Sequence, residues 1–250
     1  MNYRISIIIP ILNEAETITR LLQHIVANAS VESISEIILV DGGSTDESQD
    51  VIQQFILEVT SNGTTTLQNS AGSKMDIRLI SSEKGRAKQM NSGAQLATGD
   101  ILYFLHADSF PPKHFDRYII NEVKNGNPAG CFRMQFDSTH WWLRLASWLT
   151  QFSWRACRGG DQSQFITRHL FDEIGGYDEN YIIYEDNILI NQLFERKQFV
   201  VINKKLQTSA RRYRKHGVWT LQFHFWMIYI KKWFGADAQE LLTYYKRHIS

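Results

Sequence analysis

The feature that most constrains this chain is a set of apolar runs too dense to leave one face in water. Residues 5–10, "ISIIIP", are apolar almost without a break, and 36–41, "EIILVD", repeat the pattern. A strand with one wet face alternates polar and apolar side chains. A near-continuous run needs cover on both faces, as in a parallel sheet with helices on each side. Residues 76–81, "DIRLIS", and 100–108, "DILYFLHAD", supply a third and a fourth run. Helical patterns stand between them. Ile18, Leu21, Leu22, Ile25 and Val26 follow the i, i+3, i+4, i+7, i+8 spacing of a buried stripe. Ser44 and Glu47 have capping-box spacing ahead of a helix expected to reach about Phe55. Ala87, Met90, Ala94 and Ala97 form a small-residue face that can lie close to a sheet. This alternation predicts an open, mostly parallel α/β sheet, which binds ligands at the carboxyl ends of its strands.

Those ends carry polar groups. The first run leads through Pro10 to Asn13 and Glu14, the second stops at Asp41 before two glycines, and the fourth stops at His106-Ala107-Asp108. The segment after the first run, "PILNEAE", contains no glycine, so neither a dinucleotide-binding GxGxxG turn nor the glycine-rich phosphate loop of a nucleotidyltransferase follows it. With 250 residues and a net charge of +1, the chain has room for one large domain and no electrostatic drive toward nucleic acid. Its two cysteines, Cys131 and Cys157, make neither a disulfide framework nor a zinc spacing and read as reduced thiols. The short apolar run near the start is broken by Pro10 and followed by charges, unlike a secretory signal, so a cytoplasmic location is expected.

The second half is less regular. Residues 60–74 are rich in Gly, Ser, Thr and Asn and read as a surface loop. Prolines at 111 and 112 suit a helix start, and 130–137, "GCFRMQFD", alternate like an antiparallel strand. Residues 140–157 read as one aromatic-rich helix, and 163–179 as a short strand, a helix and a glycine stop. Residues 185–198 read as a helix that starts with Glu185 and Asp186, while "FVVIN" and "LQTSARRY" read as two strands.

Taken in order, "SIIIPILNEAETI", "EIILVDGGSTDES", "KGRAKQMNSGAQLATGD", "YFLHADS", "GGDQSQFITRHLFDEIGGYDE" and "YEDN" resemble the family 2 glycosyltransferases of the GT-A fold, over about residues 4–216. The variants "LHAD", "GDQ" and "SARRY" look most like a bacterial subgroup associated with radical-SAM and selenium-related genes. The resemblance implies a three-layer α/β sandwich that moves a sugar from a UDP- or GDP-sugar, with inversion and a divalent cation, Mn²⁺ or Mg²⁺. It divides the chain into a transferase domain, 1–216, whose halves are a nucleotide-binding part (1–108) and an acceptor part (109–216), and a helical segment, 217–250.

The family pattern also implies residue roles, each with a plainer competitor. Asp41 would accept the N–H of the base, or it caps its own turn. Pro10, Asn13 and Glu14 would lie beside the nucleotide, with ordinary helix capping by Asn13 as the competitor. Gly85, Arg86 and Lys88 form a basic helix start suited to a diphosphate, where a guanidinium fork is the best match. Most relatives carry an Asp-x-Asp pair where this chain has His106 and Asp108; Asp108 remains a metal ligand, while His106 ligates the metal or touches the donor. Asp186, with Glu185 second, would be the base that deprotonates the acceptor, although acids favour helix starts anyway. Gly160, Asp161 and Gln162 would bind acceptor hydroxyls. In "SARRYRK", Arg212, with Arg211 as alternate, would hold the diphosphate; the competitors are a solvated edge strand and a patch facing anionic lipid. The rival class is a non-catalytic nucleotide-sugar-binding protein, prompted by the missing first aspartate.

Residues 218–234, "VWTLQFHFWMIYIKKWF", are too short to span a bilayer at ~20 residues. They read either as a buried helix or as one lying in a membrane interface, which would make the protein peripheral on the inner face of the membrane. The acceptor, a lipid or a saccharide, is not written in these residues.

Overall fold

A computed structural model describes residues 3–61, 75–159 and 162–249. The expected loop at 60–74 lies almost wholly outside the described residues, as do Gly160 and Asp161. The first run is strand β1 (Ile5–Ile11) and the second β2 (Ile34–Asp41), separated by helix α1 (Ala15–Asn28). Helix α2 (Ser48–Ser61), strand β3 (Asp76–Ser81), helix α3 (Arg86–Leu96) and strand β4 (Ile101–Phe104) follow. β1 pairs in parallel with β2 on one side and β4 on the other, and β2 pairs in parallel with β3. The predicted parallel sheet is therefore present, with edge strand β3 the least buried of the four.

Helices cover both faces, which is why the central strands need no polar side. Ile5, Ile7, Ile9, Leu39 and Tyr103 face one core with Ile18, Leu21, Leu22 and Ile25 of α1. Ile8, Ile38, Val40, Leu102 and Phe104 face the other, with Ala87, Met90 and Ala94 of α3. Small residues let α3 approach closely. A Cβ on Gly93 would stand 2.5 Å from Ile8 Cγ2 and 3.1 Å from Val40 Cγ2, so no larger residue fits without displacement. At the amino ends of the strands, Glu36 is buried yet fully engaged. Its carboxylate accepts from Ser6 Oγ, from Thr98 N at 2.9 Å and from Thr98 Oγ1 at 2.6 Å.

The second half adds strand β5 (Ser109–Phe110), helix α4 (Phe115–Lys124), strand β6 (Ala129–Phe136), helix α5 (Trp141–Leu149), strand β7 (Gln164–Thr167), helix α6 (Arg168–Ile174) and helix α7 (Glu185–Glu195). Strand β8 (Val200–Thr208) and helices α8 (Arg211–His216), α9 (Val218–Trp233) and α10 (Ala238–His248) complete it. Among the described residues the sheet order is β3-β2-β1-β4-β7-β6-β8-β5. β7 runs antiparallel to β4 and β6, β5 runs antiparallel to β8, and β6 runs parallel to β8.

Several sequence expectations need correction. Residues 140–157 are not one helix: α5 stops at Leu149 and a 3₁₀ turn forms at Arg155–Cys157. The two expected late strands are one, β8, whose middle is exposed Asn-Lys-Lys and so broke the apolar pattern. "SARRY" is not its continuation but the start of the short helix α8. The expected box at Ser44 and Glu47 is absent from its place; Ser44 bonds Asp41 instead, and Asp46 Oδ1 accepts from Ser48 N at 3.0 Å at the start of α2. Strand β4 ends at Phe104, although Leu105 N still bonds Ile8 O at 3.0 Å, so His106 to Asp108 lie in a turn beyond the sheet.

Candidate active site

The carboxyl ends of β1, β2 and β4 bring most of the singled-out residues to one edge of the sheet. Asn13 adopts a left-handed backbone (φ 58°) and ties two loops together. Its Oδ1 accepts from Thr45 N at 2.8 Å, and its N–H donates to Ser44 Oγ at 2.9 Å. It is therefore not the cap of α1; that position belongs to Glu14. Asp41 is buried at the end of β2 and organises the next turn. It accepts from Gly43 N at 3.1 Å, Ser44 N at 3.1 Å, Ser44 Oγ at 2.5 Å and Gln49 Nε2 at 2.7 Å. These bonds fit the turn-capping role; a base approaching Asp41 would have to displace Ser44 Oγ or Gln49. Pro10 is in register with Val40 inside β1 and holds the strand that leads to this edge.

Two charge clusters face the edge. In the first, Arg86 Nη1 lies 3.1 Å from Glu185 Oε1 and 3.6 Å from Asp186 Oδ2. Both carboxylates are almost fully buried at the start of α7, whereas the Arg86 side chain is 41% exposed. Two buried acids with one neighbouring cation would be costly without that pairing and the positive helix terminus. Arg86 thus serves the acid pair directly, a role its sequence context did not suggest. Gly85 before it has φ 143°, in the region that favours glycine, and caps α3. Lys88 pairs with Glu83 at the surface.

In the second cluster, Arg211 Nη2 donates to Glu14 Oε1 at 2.9 Å and Oε2 at 3.2 Å, and Asp108 adds to the negative field around it. The preferred candidate, Arg212, is elsewhere. It donates to Tyr245 OH at 2.7 Å and lies 5.6 Å over the Phe225 ring. The helical turn of α8 is the reason: successive residues on a helix diverge by about 100°, so only one of the two arginines reaches the strand ends. Gln162 is likewise not at the groove. It is buried, accepting from Arg158 Nη1 at 2.7 Å and donating to Cys157 O at 2.6 Å.

Beside the first cluster lies a small cavity of ≈10 Å³ lined by Phe104, His106, Gly159, Ser163, Gln164, Tyr177 and Asp186. It could hold about one water. Burial, followed by the Arg86 cation, pushes the His106 pKa down to about 3, so its imidazole is neutral near pH 7. Tyr177 OH and both amide atoms of Gln164 are buried without a protein partner. Burial first, then Asp186 and Glu185, holds the Tyr177 pKa well above its ordinary value, so its hydroxyl remains a donor. Neither residue was singled out from sequence. Tyr177 falls in the glycine stop, and the one signal for Gln164 is an amide opening the strand Gln-Phe-Ile-Thr.

The donor set can be tested against a divalent cation. No group of three or more His, Cys, Asp or Glu side chains gathers as metal ligands among the described residues. A self-sufficient protein cage is thus not formed by them. Asp108, partly exposed in the turn after β4, with neutral His106 two residues away, suits a cation that takes its other ligands from phosphate and water. The residues fit that kind of site.

Comparison with known proteins bears on the family and the fold. The family described as "Glycosyl transferase family 2" matches residues 6–178. The glycosyltransferase AglE of Haloferax volcanii is 29% identical over 107 residues, 43% of this chain and 31% of that protein. The undecaprenyl-phosphate 4-deoxy-4-formamido-L-arabinose transferase of Sodalis glossinidius is 27% identical over 146 residues, 58% of this chain and 41% of that protein. The chain therefore spans less than half the length of these curated relatives. Among solved structures, the mannosyltransferase PcManGT of Pyrobaculum calidifontis, in complex with GDP-Man and Mn²⁺, superposes with a TM-score of 0.67 at 16% identity, covering 95% of this chain and 66% of that one. TarS 1–349 of S. aureus with UDP-GlcNAc gives 0.63 at 15%, covering 82% and 58%. At these identities the structures show a shared fold, the GT-A-like α/β sandwich. With more than half of its length matched, the chain belongs to glycosyltransferase family 2.

Proposed function

We propose that this glycosyltransferase moves a sugar from a UDP- or GDP-sugar to an acceptor hydroxyl or phosphate by a single inverting displacement assisted by a divalent cation. The observation that carries the reading is the convergence on one sheet edge of His106 and the buried acid Asp186, which line one cavity, with Arg86 paired to Asp186. Residues 1–216 would form the transferase unit and 217–250 an accessory helical segment. The "LHAD", "GDQ" and "SARRY" variants support placement in the subgroup associated with radical-SAM and selenium-related genes.

With a hydroxyl acceptor, Asp186 takes its proton as the oxygen attacks the anomeric carbon and the bond to the diphosphate breaks; a phosphate acceptor attacks through an oxygen that is already anionic. Arg86 holds Asp186 and Glu185 together beside the reaction, and Tyr177 offers its hydroxyl to the sugar or acceptor. Arg211, held by Glu14 near Asp108, offers its guanidinium to the leaving diphosphate. Asp41 and Asn13 shape the loops against which the base lies. Asp108, with His106, would hold Mn²⁺ or Mg²⁺, which supplies charge neutralisation to the departing diphosphate. GDP-Man and UDP-GlcNAc, bound by the structural neighbours, are the donor types to try first. The undecaprenyl-phosphate in one relative's name makes a lipid phosphate the first acceptor to try.

The test is transfer or hydrolysis of each donor with Mn²⁺, followed by NMR of the anomeric product. Asp186→Asn is expected to lower turnover by ~10²–10⁴-fold while donor binding persists. Unchanged turnover would remove Asp186 from the mechanism. Donor binding without turnover in the wild type would instead favour a nucleotide-sugar-binding protein.

A further inference from the structure

We infer that α5 and α9 form a docking face for an anionic lipid bilayer, bordering the active site. Helix α9 is apolar on two sides but covered on one. Leu221 and Ile228 are buried, clustered with Leu241 of α10. The opposite stripe, Trp219, Phe223, Trp226, Ile230 and Trp233, follows i, i+4, i+7, i+11, i+14 and is 43% to 85% exposed. Phe234, next to it, is 82% exposed. Helix α5 repeats the arrangement with Trp141, Leu145 and Trp148 at i, i+4, i+7. The two stripes meet: Trp219 lies 5.7 Å from Trp141 and 5.5 Å from Trp142, and Trp142 Nε1 donates to Gln222 Oε1 at 3.1 Å. Scattered exposed apolar residues are ordinary; two joined aromatic stripes are not.

Charge selects the occupant. Residues 138–159 and 209–236 contain no Asp or Glu and carry Arg144, Lys215 and Lys231, besides Arg214, which pairs with Asp137 at 3.0 Å, and Arg155 and Lys232, which bond Asn187 and Tyr181. A face rich in tryptophan, with cations in excess of its one bordering acid, Asp137, suits the boundary between lipid headgroups and acyl chains. It would repel a second copy of itself. α9 has 16 residues, so it extends about 24 Å. No helix among the described residues is long and apolar enough to cross a membrane, so α9 would lie along the surface. A groove of ≈700 Å³ beside α5, lined in part by Arg133, Arg144, Trp141 and Trp148, opens on the same helix. The face also reaches the reacting end of the molecule, since Tyr229 of α9 stacks edge-on to Tyr184 and donates to Asn187 Oδ1 at 3.4 Å, next to Asp186. Docking itself does not depend on the transferase reading. Its consequence, that the acceptor is a membrane lipid, rests on that reading.

The test is vesicle flotation of the full chain with phosphatidylcholine alone and with added phosphatidylglycerol, read alongside tryptophan fluorescence. Flotation with the anionic vesicles, a blue shift and weakening by salt are expected. The triple variant Phe223→Ser, Trp233→Ser, Phe234→Ser should lose at least about tenfold in partitioning. Arg144→Glu with Lys215→Glu should lose roughly fivefold per cation on anionic vesicles only. Both variants should keep the wild-type Tm and its shift with nucleotide-sugar. Absence of flotation by the wild type would overturn the proposal. A stable dimer by sedimentation that the triple variant abolishes would also overturn it, by giving the face to a second copy. Vesicle binding without any donor-induced Tm shift would keep the docking face and count against the donor reading; the reverse pattern would do the opposite.

Discussion

Strand β1 and helix α9 are both rich in large apolar residues and meet opposite fates. Ile5, Ile7, Ile8 and Ile9 are fully buried, while Trp219, Phe223, Trp226 and Trp233 stand in solvent. In β1 every face has a partner: α1 covers one side and α3 the other. In α9 the side carrying Leu221 and Ile228 packs on α10 and on Tyr213 of α8, while the opposite stripe stays exposed among the described residues. Periodicity states which residues share a face. It does not state whether that face is covered, because cover comes from elsewhere in the chain or from outside it.

The contrast can be broken most strongly in the parallel sheet. Leu39→Ala removes a fully buried side chain from a packed core and should cost about 2–5 kcal/mol, read by denaturant unfolding. A cost near zero would mean that the parallel half is not the stable part of the fold. A smaller effect concerns Glu36. Burial alone would raise its pKa, but bonds from Ser6 and Thr98 and the Arg78 cation outweigh it, and the pKa is lowered below its usual 4.5. The unfolded chain therefore binds the proton more readily. The stabilisation is present above about pH 4.5 and lost as pH falls through the lower folded value. Tm against pH should show this acid limb flattened in Glu36→Gln, with a loss of roughly 1–3 kcal/mol at neutral pH. The smallest effect belongs to the other region. Trp233→Ser should change stability by no more than about 0.5 kcal/mol, because its ring is 85% exposed. A large loss there would show that α9 is covered in solution.

How much was legible follows the same division. The parallel strands, the α1 stripe and the small-residue face of α3 stand where their patterns put them, because each is a local pattern with local cover. The collection of Asn13, Glu14, Asp41 and His106-Ala107-Asp108 at one edge followed from the rule for strand ends. Roles that depend on distant partners were hidden. Arg86 was readable as a cation near a phosphate but not as the counter-ion of an acid pair 99 residues away. Gln162 looked available until Arg158 claimed it. The resemblance favours Arg212 with Arg211 as alternate; the turn of α8 brings Arg211 to Glu14 and Arg212 to Tyr245. Tyr177 and Gln164 carried no motif; only burial without a partner marks them.

The central claim is that the sheet edge holding Asp108 binds a nucleotide-sugar with a divalent cation. Calorimetric titration of GDP-mannose and UDP-N-acetylglucosamine, with Mn²⁺ or with EDTA, tests it most directly in the wild type and in Asp108→Asn. The account predicts Mn²⁺-dependent binding of at least one donor, weakened about tenfold or more in the variant, as expected when a metal's anionic ligand is lost. Binding that is indifferent to both EDTA and Asp108→Asn, or no binding of either donor, would contradict it.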